Sequence, residues 1–116
     1  MALPAEKRLK RTRDFRAVSR SKPSVQEGKL LLKAKASQKN LSRFGIVVSK
    51  SVAKKAVDRN RMRRLLFEAI RAKQDSFKSP YDIVLVALPG FSLKDLHEAQ
   101  SIIEKLFLKA KLTRIS

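Results

Sequence analysis

Cysteine and tryptophan are absent from this 116-residue chain, and histidine occurs once. Without cysteine the chain can form no disulfide, has no thiol nucleophile and cannot build a thiolate metal site. No stretch of about 18 apolar residues is present, so we expect no membrane-spanning helix. The basic residues near the N-terminus are not followed by an apolar segment, which argues against a signal peptide. The three glycines form no phosphate-binding loop.

Acidic residues are also scarce: 10 Asp and Glu stand against 28 Lys and Arg, for a net charge of +18. Residues 1–73 hold 22 of the basic residues and 5 of the acidic ones, so the charge lies in the first two-thirds of the chain. A charge this large destabilises the folded state by self-repulsion, and a polyanionic partner relieves that repulsion. The composition therefore predicts a nucleic-acid-binding protein, without choosing between RNA and DNA.

The few acidic residues are too scattered to form the carboxylate cluster of a metal-dependent nuclease. The single histidine, His97, falls in a predicted helix, where a surface position is more common than a role as a general base. The sequence therefore predicts no catalytic residue and no metal site in the protein itself.

Apolar periodicity and turn residues predict an α+β fold in one domain, residues 1–116, with residues 1–8 as a flexible basic tail. Leu9 is the first residue that we expect to be buried. The strands over 29–36 and 43–49 are expected to pair as an antiparallel hairpin, and Ser24 to Gln26 to add a short edge strand. The predicted helices cover residues 13–20, 57–74 and 93–111, the last capped by Ser92, and the most buried strand covers 82–88.

The most informative segment runs from Arg43 to Arg64 and ends in a helix start that is rich in arginine. Asn60 and Arg64 lie on the helix face opposite the apolar stripe, and Arg59, Arg61 and Arg63 flank that stripe. A guanidinium group grips phosphate with two parallel hydrogen bonds and stacks on exposed bases. The alternative is a solvated arginine face, but such a face usually carries interspersed glutamates, which are few here.

The same segment resembles the signature of the bacterial ribonuclease P protein family. Phe44-Gly45-Ile46-Val47-Val48-Ser49-Lys50 is similar to the family's Gly-x-x-Val-Ser-Lys strand, and Ala56-Val57-Asp58-Arg59-Asn60-Arg61 is similar to its Ala-Val-x-Arg-Asn-Arg helix start. Leu9 with Asp14-Phe15 resembles the family's N-terminal pattern, and Tyr81-Asp82 with the apolar residues after it resembles its late strand.

The resemblance implies a two-layer α-β-β-β-α-β-α sandwich with a small mixed sheet and a left-handed β-α-β crossover. It also implies the protein subunit of ribonuclease P, an endoribonuclease whose RNA subunit performs the catalysis. The expected partners are ribonuclease P RNA and precursor tRNA, whose single-stranded 5′ leader lies in a cleft between the first helix and the sheet. Mg²⁺ is expected for the holoenzyme but not as a ligand of the protein, and the location is expected to be cytoplasmic.

Two sets of site residues follow from the motif and the resemblance. The predicted RNA-binding residues are Arg43, Lys50, Lys54, Lys55, Arg59, Asn60, Arg61, Arg63 and Arg64. The predicted leader-cleft residues are Arg11, Arg13, Phe15, Lys33, Lys35 and Ser49.

This chain departs from the family pattern in the cleft, where Ser19 and Lys33 stand at positions that are often aromatic. Phe15 matches the first cleft aromatic, and it either stacks on leader bases or anchors the first helix in the core; the two interactions have similar energies. The alternative function is that of a ribosomal or other structural RNA-binding protein.

Overall fold

The computed structural model describes residues 8–9, 16–18, 24–73 and 76–112. Within these ranges the chain forms a four-stranded sheet and two long helices. The strands are β1 (Ser24–Glu27), β2 (Leu30–Ala36), β3 (Arg43–Val47) and β4 (Tyr81–Ala87). The helices are α1 (Ala56–Lys73), between β3 and β4, and α2 (Leu96–Lys109), after β4. Residues 16–18 are also helical, within the helix predicted over 13–20.

The strand order across the sheet is β1-β2-β4-β3, so the predicted hairpin between the second and third strands is wrong. β4 lies between them, antiparallel to β2 and parallel to β3. β4 takes this central place because it is the most apolar strand, with five of its seven residues buried on the two faces of the sheet. The pair β3 and β4, connected through α1, is a β-α-β crossover; its left-handed sense stays a prediction.

The main core lies between the sheet and the two helices. Alternate residues of β2 and β4, Leu30, Leu32, Ile83 and Leu85 among them, face the helices and are fully buried. The apolar stripe of α1 meets them through Met62, Leu66, Ala69 and Ile70, as its spacing predicts. Each large side chain buried in this way contributes roughly 1.5–3 kcal/mol relative to its exposed state. The α+β class and the sandwich of helices on a small mixed sheet are confirmed.

A second, smaller cluster lies on the opposite face of the sheet. Leu9 and Val18 pack there against Val84, and Val86 borders them. Leu9 is buried as expected, and its backbone N–H donates to the carbonyl of Phe44 at 2.7 Å. This N-terminal segment therefore covers part of the face that the long helices leave open.

Helix α2 begins later than predicted, because Asp95 and not Ser92 caps it. The Asp95 carboxylate accepts from the backbone N–H of Glu98 at 3.0 Å, and Leu96, the first residue of the helix, is 36% exposed. The C-terminal end closes with Lys111 at φ 57°. The N–H of Lys111 donates to the carbonyl of Leu108, and that of Leu112 to Phe107, which is the Schellman arrangement usually made with glycine.

Candidate nucleic-acid interface

The start of α1 and the connector before it carry most of the predicted RNA-binding residues. The connector between β3 and α1 exposes the side chains of Lys50, Lys54 and Lys55. It begins with a turn in which the N–H of Val52 donates to the carbonyl of Ser49 at 3.0 Å. The Ser49 and Ser51 hydroxyl oxygens are 2.7 Å apart and share a hydrogen bond. The connector therefore presents its ammonium groups from a structured turn.

Arg59 fixes this connector to the helix. Its Nη1 donates to the carbonyls of Ala53 and Lys54 at 2.9 and 2.7 Å. A guanidinium group has five N–H donors, so these two bonds orient the plane of the group and leave three donors for a ligand. Arg59 is therefore both a structural clamp and a candidate phosphate contact.

Arg61 and Arg63 make comparable bonds on either side of α1. Arg61 donates to the carbonyls of Leu93 and Lys94, in the loop between β4 and α2, at 2.8 and 2.6 Å. Arg63 donates to the carbonyl of Val48, just after β3, and to the side-chain oxygen of Asn60. These arginines therefore hold neighbouring loops against α1, a role that the sequence did not indicate because the carbonyl acceptors are distant in the chain.

The outward face of α1 carries the groups most accessible to a large partner. Asn60 and Arg64 are exposed, and so is Val57, at 68%. Within the described ranges Arg64 makes no hydrogen bond or ion pair that would hold its guanidinium group. Further along the helix the guanidinium of Arg8 lies over the ring of Phe67, 5.0 Å from its centroid, which extends the basic surface toward the N-terminal segment.

Arg43, the remaining residue of the predicted RNA-binding set, is held in an ion pair, and its contact with RNA stays a prediction. Its Nε and Nη2 donate to the two carboxylate oxygens of Asp82 at 3.0 and 2.8 Å. The two side chains are only 14% and 9% exposed. Asp82 is the one buried charged residue of the described chain, and its carboxylate requires this partner. Arg43 therefore neutralises a buried carboxylate across the β3–β4 pair.

The predicted leader-cleft residues divide between described and undescribed parts of the chain. Lys33 and Lys35 alternate with the core-facing residues of β2, so they lie on the sheet face that carries Leu9 and Val18. Lys33 is opposite Val84 on β4 and Lys35 is opposite Asp82. Ser49 is exposed beyond the end of β3. Arg11, Arg13 and Phe15 lie outside the described residues, as does Ser19.

Most carboxylates of the described residues are ion-pair partners or accept backbone N–H groups. Asp82 pairs with Arg43, Glu27 with Lys109 and Glu104 with Lys73. No group of three potential metal ligands occurs within residues 8–9, 16–18, 24–73 and 76–112. These ranges therefore offer no fitting site for the Mg²⁺ that the family resemblance implies. Neither long helix is apolar enough, over a sufficient length, to span a membrane.

A sequence model of the ribonuclease P family, described as "Ribonuclease P", matches residues 3–111. The chain belongs to the ribonuclease P protein family. The ribonuclease P protein component of Clostridium kluyveri is 36% identical over 107 residues, covering 90% of this chain and 95% of the relative. That of Synechocystis is 38% identical over 90 residues, covering 77% and 73%.

Solved structures of the ribonuclease P protein family share this fold. The Staphylococcus aureus RNase P protein superposes with a TM-score of 0.83, covering 93% of this chain and 98% of that one at 23% identity. The Thermotoga maritima protein superposes with a TM-score of 0.76 at 26% identity, covering 94% and 97%. The chain is thus a protein component of the ribonuclease P endoribonuclease, with an RNA-binding role in tRNA processing, and the ribosomal alternative is set aside.

Proposed function

We propose that the connector and the outward face of α1 bind the catalytic RNA of ribonuclease P. The observation that carries this proposal is the concentration of exposed cationic and amide groups around one helix start, with neighbouring guanidinium groups fixed by backbone carbonyls. Groups held in place before binding lose less conformational freedom when the RNA arrives. The surface consists of Lys50, Lys54, Lys55, Arg59, Asn60, Arg61, Arg63 and Arg64.

The opposite face of the sheet is proposed to bind the 5′ leader of precursor tRNA. Lys33 and Lys35 project from that face beside the apolar side chains of Val84 and Val86. An apolar surface beside ammonium groups suits single-stranded RNA, because the bases pack on apolar side chains while the phosphates pair with cations. Arg11, Arg13, Phe15 and Ser49 complete the proposed set. Because the two surfaces lie on different elements, one protein can contact both RNAs at once.

The protein is proposed to assist cleavage by positioning and charge neutralisation, with Mg²⁺ acting at the RNA subunit. Most of its described carboxylates are engaged with cations or with backbone N–H groups, and within the described ranges no three potential ligands lie together, so they are poor candidates for metal ligands or for a general base. Cationic side chains reduce repulsion between the catalytic RNA and its substrate, which lowers the magnesium concentration that the reaction needs. A cytoplasmic location is proposed because precursor tRNA is processed there.

The assignment of α1 is tested by titrating the catalytic RNA with the Arg64→Gln protein. Loss of a charged hydrogen bond of about 1–3 kcal/mol weakens assembly by roughly 5- to 150-fold. Lys78→Gln, which removes a positive charge from the loop before β4, serves as the control and should bind as the wild type does. Wild-type affinity of a folded Arg64→Gln protein would contradict the assignment.

A further inference from the structure

Arg61 forms hydrogen bonds that connect α1 to the loop between β4 and α2. The Arg61 guanidinium donates to two successive carbonyls of that loop, Leu93 at 2.8 Å and Lys94 at 2.6 Å. The loop residues on the inner side, Phe91 and Leu93, are buried in the main core. The backbone at Lys94 is thus held close to α1, although Arg61 and Lys94 are 33 positions apart in the chain.

The backbone of Lys94 is also fixed by a hydrogen bond on its N–H side. Its backbone N–H donates to the Glu98 carboxylate at 2.9 Å, while Asp95, the next residue, caps α2. The Lys94 side chain is exposed, and no described residue pairs with its ammonium group. A positive charge is therefore presented beside Arg61 on a backbone that is fixed at both ends.

The charges around Lys94 determine how strongly it attracts an anion. Asp95 and Glu98 lie next to it, and each accepts a backbone N–H bond at the start of α2, so their negative charge is partly neutralised there. The depression beside Lys94 is lined by a second lysine, Lys105, and by a third carboxylate, that of Glu27, so its lining is not cationic overall. The attraction at Lys94 is weaker than at Arg64, but it acts on the RNA that already lies along α1.

We propose that Lys94 is a further contact for RNA phosphate and that Arg61 is the residue that positions it. The RNA-binding surface then extends from α1 onto the loop between β4 and α2. This inference rests on the proposed binding of the catalytic RNA by α1. Arg61 then affects RNA affinity by fixing the backbone carbonyls of Leu93 and Lys94. This effect is separate from any RNA contact that its remaining N–H donors make.

The test is a double-mutant cycle with Lys94→Gln, Arg61→Ala and the double variant, each titrated with in-vitro transcribed ribonuclease P RNA over a range of salt concentrations. Lys94→Gln should weaken binding by about three- to tenfold and reduce the slope of log affinity against log salt by up to about one. In the Arg61→Ala background, the Lys94 substitution should have little further effect, because the backbone that carries Lys94 is no longer bonded to α1. Lys78→Gln is the charge-matched control, and thermal melts identify variants that are folded.

Three results would overturn the inference. Wild-type affinity and salt slope of Lys94→Gln, with Arg64→Gln measured in parallel and found weakened, would show that the surface ends at α1 and leave the proposed function intact. Additive effects of Arg61→Ala and Lys94→Gln would show that Arg61 does not position Lys94. If Arg64→Gln and Lys94→Gln both bind as the wild type does, the proposed function itself is wrong and the inference falls with it.

Discussion

Arg43 and Asp82 face each other across the parallel pair of β3 and β4, and the guanidinium of one grips both carboxylate oxygens of the other. The pair is nearly buried, at 14% and 9% side-chain exposure. Removing one member leaves the other charged and desolvated, whereas removing both relieves that cost. The pair is therefore a structural element of the sheet.

Asp82→Asn should destabilise the protein by about 3 kcal/mol, because Arg43 is left without its countercharge. The measurement is the free energy of unfolding in urea. The double variant Arg43→Gln with Asp82→Asn is the control and should recover part of the loss. A single variant as stable as the wild type would show that the pair contributes nothing.

Arg43→Gln tests whether Arg43 also contacts RNA. The folded variant should bind the catalytic RNA with wild-type affinity and an unchanged salt slope, since its charge is already neutralised by Asp82. A slope reduced by about one would place Arg43 on the RNA-binding surface.

The aromatic cluster around Phe77 joins the loop before β4 to both layers of the core. The Phe77 ring lies 5.0 Å from that of Phe107 on α2 and 5.7 Å from that of Phe44 on β3. Phe77→Ala should cost about 3–5 kcal/mol of unfolding free energy, because it removes the buried ring and leaves a cavity. Phe77→Leu should cost less, and equal losses for the two substitutions would argue against the cavity explanation.

The acid stability of the fold should depend on Glu27 and Glu104. The hydrogen bond from Lys109 lowers the pKa of Glu27 below its usual value, and the hydrogen bond from Lys73 does the same for the pKa of Glu104. A carboxylate with a lowered folded-state pKa binds fewer protons when folded, so its stabilisation is complete above the unfolded pKa and is lost as the pH falls.

Thermal melts of the wild type should therefore show a midpoint that decreases as the pH falls below about 4.5. The double variant Glu27→Gln with Glu104→Gln should decrease less steeply over the same range. An identical pH profile for the two proteins would show that other groups control acid unfolding.

Salt should weaken RNA binding steeply, because the positive charge lies mostly in residues 1–73. If about five to eight phosphates are neutralised, the affinity should fall by roughly two to four orders of magnitude between about 50 and 200 mM monovalent salt. Filter binding or fluorescence titration measures this directly. A nearly flat titration would contradict the electrostatic account.

The sequence predicted the elements better than their arrangement. The apolar periods of α1 and β4 gave nearly the observed bounds, because each depends on burial of neighbouring residues. The hairpin between β2 and β3 was wrong, since consecutive strands often pair but β4 is apolar on both faces and must lie inside the sheet. The pairing of Arg43 with Asp82 was missed for a similar reason: the partners are 39 residues apart and meet only when β3 and β4 align.

For the arginine motif, the sequence predicted the positions of the side chains but not their hydrogen-bond partners. Its position on α1 was clear from the sequence, and the exposure of Asn60 and Arg64 followed from the helix period. The carbonyls that Arg59, Arg61 and Arg63 engage could not be predicted, because backbone acceptors carry no signature of residue type. Which of these arginines also touch RNA stays a prediction.

The separation of the two RNA surfaces is tested most directly by substrate affinity as a function of leader length. Precursor tRNAs with short and long 5′ leaders are titrated against holoenzyme assembled with wild-type, Lys33→Gln or Lys78→Gln protein. We expect Lys33→Gln to weaken binding of the long-leader substrate by up to about tenfold, and to leave short-leader binding and subunit assembly unchanged. Equal effects on both leaders, or a defect in assembly, would contradict the account that α1 binds the catalytic RNA and the opposite sheet face binds the leader.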